Sequence, residues 1–313
     1  QSIFKKKLNV FNNVKKKVYL YLIKQTQTNT QTQLIMNTKI KSNRTFSVEI
    51  ELFIPNALGY RGLLNKLNDA NIGCSFEGYT HRVMSTWKLV TDASLNTMRG
   101  YKAFELVSPI CQGQSSIDQL KTILNILEAS GCKVNKSCGI HVHVGINDFT
   151  TKNLTNLIKF YGKHQEEIDM IMQPSRRTSF NNRWAKKIDI NAIWNNLNKC
   201  ESFRDVENLM HTRYKVINVF AFRKYGTVEF RQHGGSIDAM KVCNWVALLC
   251  NMCDTVKKKA NIQKSKGEFK HTLTEVFGRG QNRKIMQFFM SRANHFGTDV
   301  SGVFDWATTN RRV

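Results

Sequence analysis

Acid is scarce where this sequence begins: none of the first 45 residues is Asp or Glu, and ten are Lys or Arg. Long apolar runs are missing too. The longest in the opening stretch, "VYLYLI" at residues 18–23, has six residues, far short of the ~20 that a membrane helix needs and too short for a signal-peptide core. No internal repeat is visible. Gly-rich phosphate loops of the Walker or dinucleotide type are absent, which argues against those nucleotide folds. The eight cysteines do not form the compact framework of a small secreted domain, so they read as reduced, mostly core thiols. Cys250 and Cys253 make a C-x-x-C, but no strand precedes it as a redox site requires. No second pair follows to close a zinc site.

What is present is cation and enough oil for a core. The formal net charge is +24 and 41% of residues are apolar, which suits a soluble globular protein facing an anionic ligand or partner without specifying DNA. Part of the charge reads as codon drift, since Lys, Asn and Ile crowd the whole chain. Residues 1–35 differ from the rest: two Lys triplets, then the low-complexity "QTQTNTQTQ". They are expected to form a disordered basic leader, with Met36 as a sensible start of the folded part. The expected organisation is this leader, one domain over 36–256, and a linker with a helical extension over 257–313. A cytoplasmic location is expected, the oligomeric state is open, and the leader is a candidate surface for an anionic partner.

Alternating or apolar runs predict strands at "TFSVEIELFI", "STWKLVTD", "AFELVSP", "GIHVHVGI", "KVINVFAF" and "TVEFRQH". Helices are predicted between them. Ser115 to Ser130 opens on a Ser-x-x-Asp capping box (Ser115, Asp118) and stops at Gly131. A second runs from Thr151 to Gln173 before Pro174, and a third from Ile237 to Val256 stacks Met240, Cys243, Val246, Ala247, Cys250 and Cys253 on one side. "AFRKYGTVEF" suggests a hairpin turning at Lys224 to Gly226, and "NRKIMQFFMSRANHFG" a late amphipathic helix. The order of elements predicts an α+β fold, a curved and largely antiparallel sheet with helices on its convex side.

The chemistry lies on the polar faces of those strands. Side chains alternate across a strand, so His141 and His143 oppose Ile140, Val142 and Val144. Alone, such a pair is more often a surface feature than a ligand pair. Yet Glu49 and Glu51 likewise oppose Val48, Ile50 and Leu52, Glu105 sits between Phe104 and Leu106, and Thr227, Glu229, Arg231 and His233 oppose Val228 and Phe230. If these faces line one concavity, four carboxylates and two imidazoles gather beside a guanidinium. Such a set suits Mg²⁺ or Mn²⁺ better than zinc. Like charges so close need cations, and metal with arginine is the apparatus of phosphoryl transfer.

"FSVEIEL", "DASL" with "FELVSP", "SCGIHVHVG", "RYKVINV" and "TVEFRQHGG", in that order, resemble the amidoligase family. Its relatives are the carboxylate-amine ligases glutamine synthetase and glutamate-cysteine ligase, and the similarity covers about Phe46 to Val256. The resemblance implies a catalytic-domain fold of that kind over 36–256. It also implies ATP-dependent amide formation through an acyl phosphate on a glutamate-like or peptide carboxylate, with an amine as second substrate. By the same resemblance Glu49, Glu51, Glu105, His141 and Glu229 are metal ligands, His143 contacts ATP phosphate, and Arg231 grips phosphate or carboxylate. Arg176, Arg177, Arg183 and Arg213 fall where the family tends to place arginines that bind carboxylates and phosphates, Arg213 being the one assigned to the cofactor, and all four read equally well as a surface patch. Asp92 reads as a turn residue and Cys138 as packing.

Two rivals stay open at this level. One is a non-catalytic protein keeping the fold and a basic surface for an anionic partner; the other is a metal-dependent hydrolase using the same acids. Deleting residues 1–35 should leave the melting temperature nearly unchanged, because this stretch lacks the apolar periodicity of a packed element. A cooperative loss of stability in a thermal melt of the truncated chain would contradict that.

Overall fold

The computed structural model describes residues 40–264 and 283–297. The leader and much of the 257–313 stretch lie outside the described residues. The described chain is α+β, with one open, mostly antiparallel sheet. Its strands are β1 (Thr45–Pro55), β2 (Cys74–Phe76), β3 (Trp87–Thr91), β4 (Tyr101–Val107), β5 (Cys111–Gln112), β6 (Gly139–Gly145), β7 (Ile217–Asn218) and β8 (Thr227–Gly234). They run in the order β2-β3-β4-β1-β6-β8-β7, with β5 paired to the start of β1. Among these pairs β2 with β3 is the parallel one.

The helices are α1 (Gly59–Asp69), α2 (Gly113–Ala129), α3 (Thr151–Lys163), α4 (Gln165–Met170), α5 (Ile190–Leu197), α6 (Phe203–Met210), α7 (Ala221–Tyr225), α8 (Ala239–Lys257) and α9 (Arg283–His295). Leu120 and Leu124 of α2, Leu157 and Ile158 of α3 and Trp245 and Leu249 of α8 bury the apolar face of the sheet, meeting Val48, Ile50, Leu52, Ile140, Val142, Val144 and Phe230. Each such side chain contributes about 1.5–3 kcal/mol when fully buried. A one-residue slip of β1 would therefore exchange Val48, Ile50 and Leu52 for Glu49 and Glu51 in the core. That penalty holds the acids on the opposite face. Helix α9 packs Ile285, Phe289 and Met290 into the same core, and Arg292 donates to the Ile171 carbonyl at 2.6 Å. None of the helices among the described residues is long and apolar enough to cross a membrane.

Local details depart from the sequence expectations. Helix α2 starts at Gly113 without a side-chain cap; Ser116, not Ser115, accepts from the Gln112 N–H at 3.0 Å. The expected long helix breaks at His164 into α3 and α4. The expected hairpin is a one-turn helix, α7, closed by Gly226 in the left-handed conformation at φ 64°, so only Ile217 and Asn218 remain as strand β7. A bulge lies in β8, where Ile140 pairs with His233 but Val142 with Phe230. The extra residue reverses the alternation, and His233 turns from the polar face into the core against Trp245, with ring centroids 5.5 Å apart.

Burial, reinforced by Arg292, pushes the His233 imidazole down to about 3. Its unfolded value is about 6.5, so the stability that a neutral His233 contributes is complete above that pH and is lost as pH falls toward the folded value. His233→Gln should remove roughly 2 kcal/mol of the stability lost between about pH 6.5 and 4.5. Urea midpoints at the two pH values check this; an equal fall in parent and variant would contradict it.

Candidate active site

Strand register assembles the polar face. Glu51 lies opposite Glu105, Glu49 opposite His141, and His143 opposite Glu229, so the imidazoles of β6 stand between the acids of β4 and β1 on one side and Glu229 of β8 on the other. His141 Nδ1 is 3.1 Å from Glu49 Oε2 and 3.7 Å from Glu229 Oε1, and its Nε2 is 3.8 Å from Glu51. His143 Nε2 is 3.5 Å from Glu49, while its Nδ1 is tied to the Thr227 hydroxyl at 2.9 Å and its ring meets Tyr225 edge-on. Glu51 accepts from the Gly139 N–H at 2.5 Å. A Cβ at Gly139 would come within 3.3 Å of His141 Nε2 and 3.5 Å of Glu51, so glycine keeps this approach open.

Two groups of donors lie close enough to share a cation: Glu49, Glu105 and His141, and Glu49, His143 and Glu229, the atoms of each group lying within 4.8 Å of one another. Glu49 belongs to both. Glu51 stands beside them, held by Gly139. Carboxylate oxygens with imidazole nitrogens are a donor set for hard divalent cations, and the electrostatics agree. Burial and the neighbouring Glu49, Glu51, Asp92 and Glu229 push the Glu105 carboxyl well above the ordinary range. Burial also raises Glu51. Glu49 behaves oppositely: burial opposes its charge, but hydrogen bonds from His141 and His143 hold it well below the ordinary value. For His143 burial works against protonation, and Glu49 outweighs it and raises the imidazole.

The arginines separate. Arg231 pairs with Glu229 and donates from Nε to the Trp184 carbonyl at 3.2 Å. Arg176 is buried beside Glu51, bonded to the Ser137 and Cys138 carbonyls. Arg213 is exposed at the rim, 5.0 Å over the Tyr214 ring, and Arg177 and Arg183 are exposed as well. Asp92 accepts from the Ser94 N–H in a turn at 2.8 Å. Cys138 packs with Phe53 and Leu95, and burial pushes its thiol up to about 11.

Two contributors were missed in the sequence. Asn218 donates to Glu229 at 2.5 Å. Lys88, buried on β3, donates to the Thr80 and Arg82 carbonyls at 3.2 and 2.6 Å; burial lowers its pKa against the pull of Glu49 and Glu105. The signal for Lys88 was its place between Trp87 and Leu89.

The family described as "Putative amidoligase enzyme" matches residues 42–252, a span containing every one of these groups. The chain belongs to the amidoligase family. It is also similar to a solved bifunctional glutathione synthetase from Pasteurella multocida, at 10% identity and a TM-score of 0.41 over 88% of this chain and 50% of that one. The chain thus spans about half the length of that protein. No curated protein matches it.

The raised Glu105 carboxyl gives a test of cation binding. A folded value above the unfolded one means that stability falls as pH rises through the carboxylate range, so near neutral pH and without cations Glu105 opposes folding. In chelator, Glu105→Gln should melt higher than the parent. Mn²⁺ at a hundredfold excess over Kd should stabilise the parent by about 2.7 kcal/mol and the variant by less. Equal Mn²⁺ responses in differential scanning calorimetry would contradict cation binding by Glu105.

Proposed function

We propose that this protein is an ATP-dependent carboxylate-amine ligase. The observation that carries the reading is the sharing of Glu49 by two donor triads beside the Arg231–Glu229 pair. Glu49, Glu105 and His141 would hold one divalent cation, with Glu51 next to them, and Glu49 with Glu229 would supply oxygens to a second. Bound Mg²⁺ or Mn²⁺ would offset the carboxylates and hold phosphate oxygens. His143, oriented by Thr227, presents Nε2 to ATP phosphate, and Arg213 adds a cation at the rim. The polar-faced antiparallel sheet also supports kinship with the curved catalytic sheet of glutamine synthetase and glutamate-cysteine ligase, helices on its convex side.

In the reaction, a substrate carboxylate oxygen bonds to the γ-phosphorus of ATP and ADP leaves. The amine then bonds to the acyl carbon, phosphate leaves with the bonding pair, and the amine loses a proton. The chain contributes position and charge: Arg231, held by Glu229 and the Trp184 carbonyl, offers a fixed guanidinium to charge developing on the transferred phosphoryl group. The buried, raised thiol of Cys138 is a poor nucleophile, which supports a route without a covalent enzyme intermediate.

With ATP, Mg²⁺, a panel of glutamate-like carboxylates and hydroxylamine, the enzyme should yield hydroxamate with one ADP per product. Arg231→Ala should lower the yield about a hundredfold, and Arg231→Lys should restore it only partly, because a point charge lacks the planar fork. Hydroxamate formed without ATP would favour a hydrolase or transferase, and no nucleotide binding at any metal concentration would favour a non-catalytic binding protein.

A further inference from the structure

Beyond β7 the sheet is flanked by the segment between α4 and α5, stitched on where the Lys186 N–H donates to the Tyr214 carbonyl at 2.7 Å and the Val216 N–H to the Lys186 carbonyl at 3.0 Å. This segment displays two large apolar side chains to solvent, Phe180 at 60% and Trp184 at 39% exposure. The Arg183 guanidinium lies 4.7 Å over the Trp184 ring, and Trp184 meets Tyr214 edge-on at 5.5 Å. Phe180, Arg183, Trp184, Lys186 and Tyr214 line a cavity of about 510 Å³. Across Phe180 it adjoins a second of about 540 Å³ that reaches Trp194, Lys163 and Lys187. The groove meets the candidate active site at Trp184, whose carbonyl holds Arg231.

Each cavity has the volume of a complete small-molecule site, so the pair exceeds what one free amino acid fills. The first is lined by cations and no carboxylate. The second mixes Lys163, Lys187 and Lys264 with Glu166, Asp189 and the amides of Gln165 and Asn191. A phosphodiester backbone calls for an unbroken run of cations, whereas carboxylates, amides and aromatic rings in alternation suit a polypeptide. We propose that this groove docks an extended acidic polypeptide segment, so that, on the ligase reading above, the carboxylate reaches Arg231 as part of a chain rather than as a free amino acid. Arg183 and Lys186 meet its acidic side chains, Phe180 and Trp184 its apolar ones.

The test is fluorescence anisotropy of the full chain with a labelled short peptide of alternating glutamate and tyrosine, a lysine-for-glutamate control and a short single-stranded RNA. The acidic peptide should bind most tightly, and Trp184→Ala and Arg183→Glu, compared at a temperature well below the melting midpoint of each variant, should each weaken it at least about tenfold. Tighter binding of RNA, or equal peptide binding in parent and variants, would overturn the groove. Groove-dependent peptide binding with no ADP release on any carboxylate would support the groove and overturn the ligase reading. ADP release with free glutamate but none with the acidic peptide, together with equal peptide binding in parent and variants, would keep the ligase and overturn the groove.

Discussion

Everything at the polar face turns on Glu49. Its two oxygens reach different imidazoles, 3.1 Å to His141 and 3.5 Å to His143, and those hydrogen bonds keep it ionised where burial would neutralise it. The cost of the crowded carboxylates then falls on Glu105, whose burial and acidic neighbours favour its protonated form. One carboxylate is locked as an anion and another is pushed toward its neutral form, a division that like charges in close quarters impose. Cations relieve it. The packed face behind makes the arrangement rigid, because β1 cannot slide without burying Glu49 and Glu51.

Much of the basic character has structural duties that a net charge of +24 conceals. Arg44, the last cation of the acid-free opening stretch, is buried. It binds Asp148 and Asp254 at 2.8 Å each and the Gly145 carbonyl at 2.8 Å, joining the start of β1 to the end of β6 and to α8. Arg176 spans the carbonyls before β6, and Lys88 gathers those of the loop over β3. These cations anchor backbone around the acid cluster. The exposed ones, Arg183 and Lys186 among them, gather at the rim near Arg231, where an anionic substrate would arrive.

The polar and apolar faces of β1, β4 and β6 were legible in sequence because alternation along a strand follows from local backbone geometry. So were the acids and imidazoles those faces carry, and the apolar side of α8. Caps and breaks were less legible: Ser115 and Ser116 offer the same chemistry, and nothing local distinguishes a helix that bends at His164 from one that continues. His233 illustrates the limit. Its place in "TVEFRQH" puts it with Glu229 and Arg231, and only the unequal pairing of β8 with β6 turns it inward.

By itself, then, the sequence determined which side chains share a face, the α+β character and the chemical type of the donor set, since each depends on neighbours within a few residues. The tertiary structure alone decided that Glu49 serves both triads and that Glu51 is held aside by Gly139. It also decided that Lys88 and Arg176 reach the acids, and that a groove opens beside Arg231. Each of these needs contacts between residues far apart in the chain, such as His141 with Glu49 or Glu229 with Glu49, and those contacts come from strand order, register and one bulge that no short stretch of chain encodes.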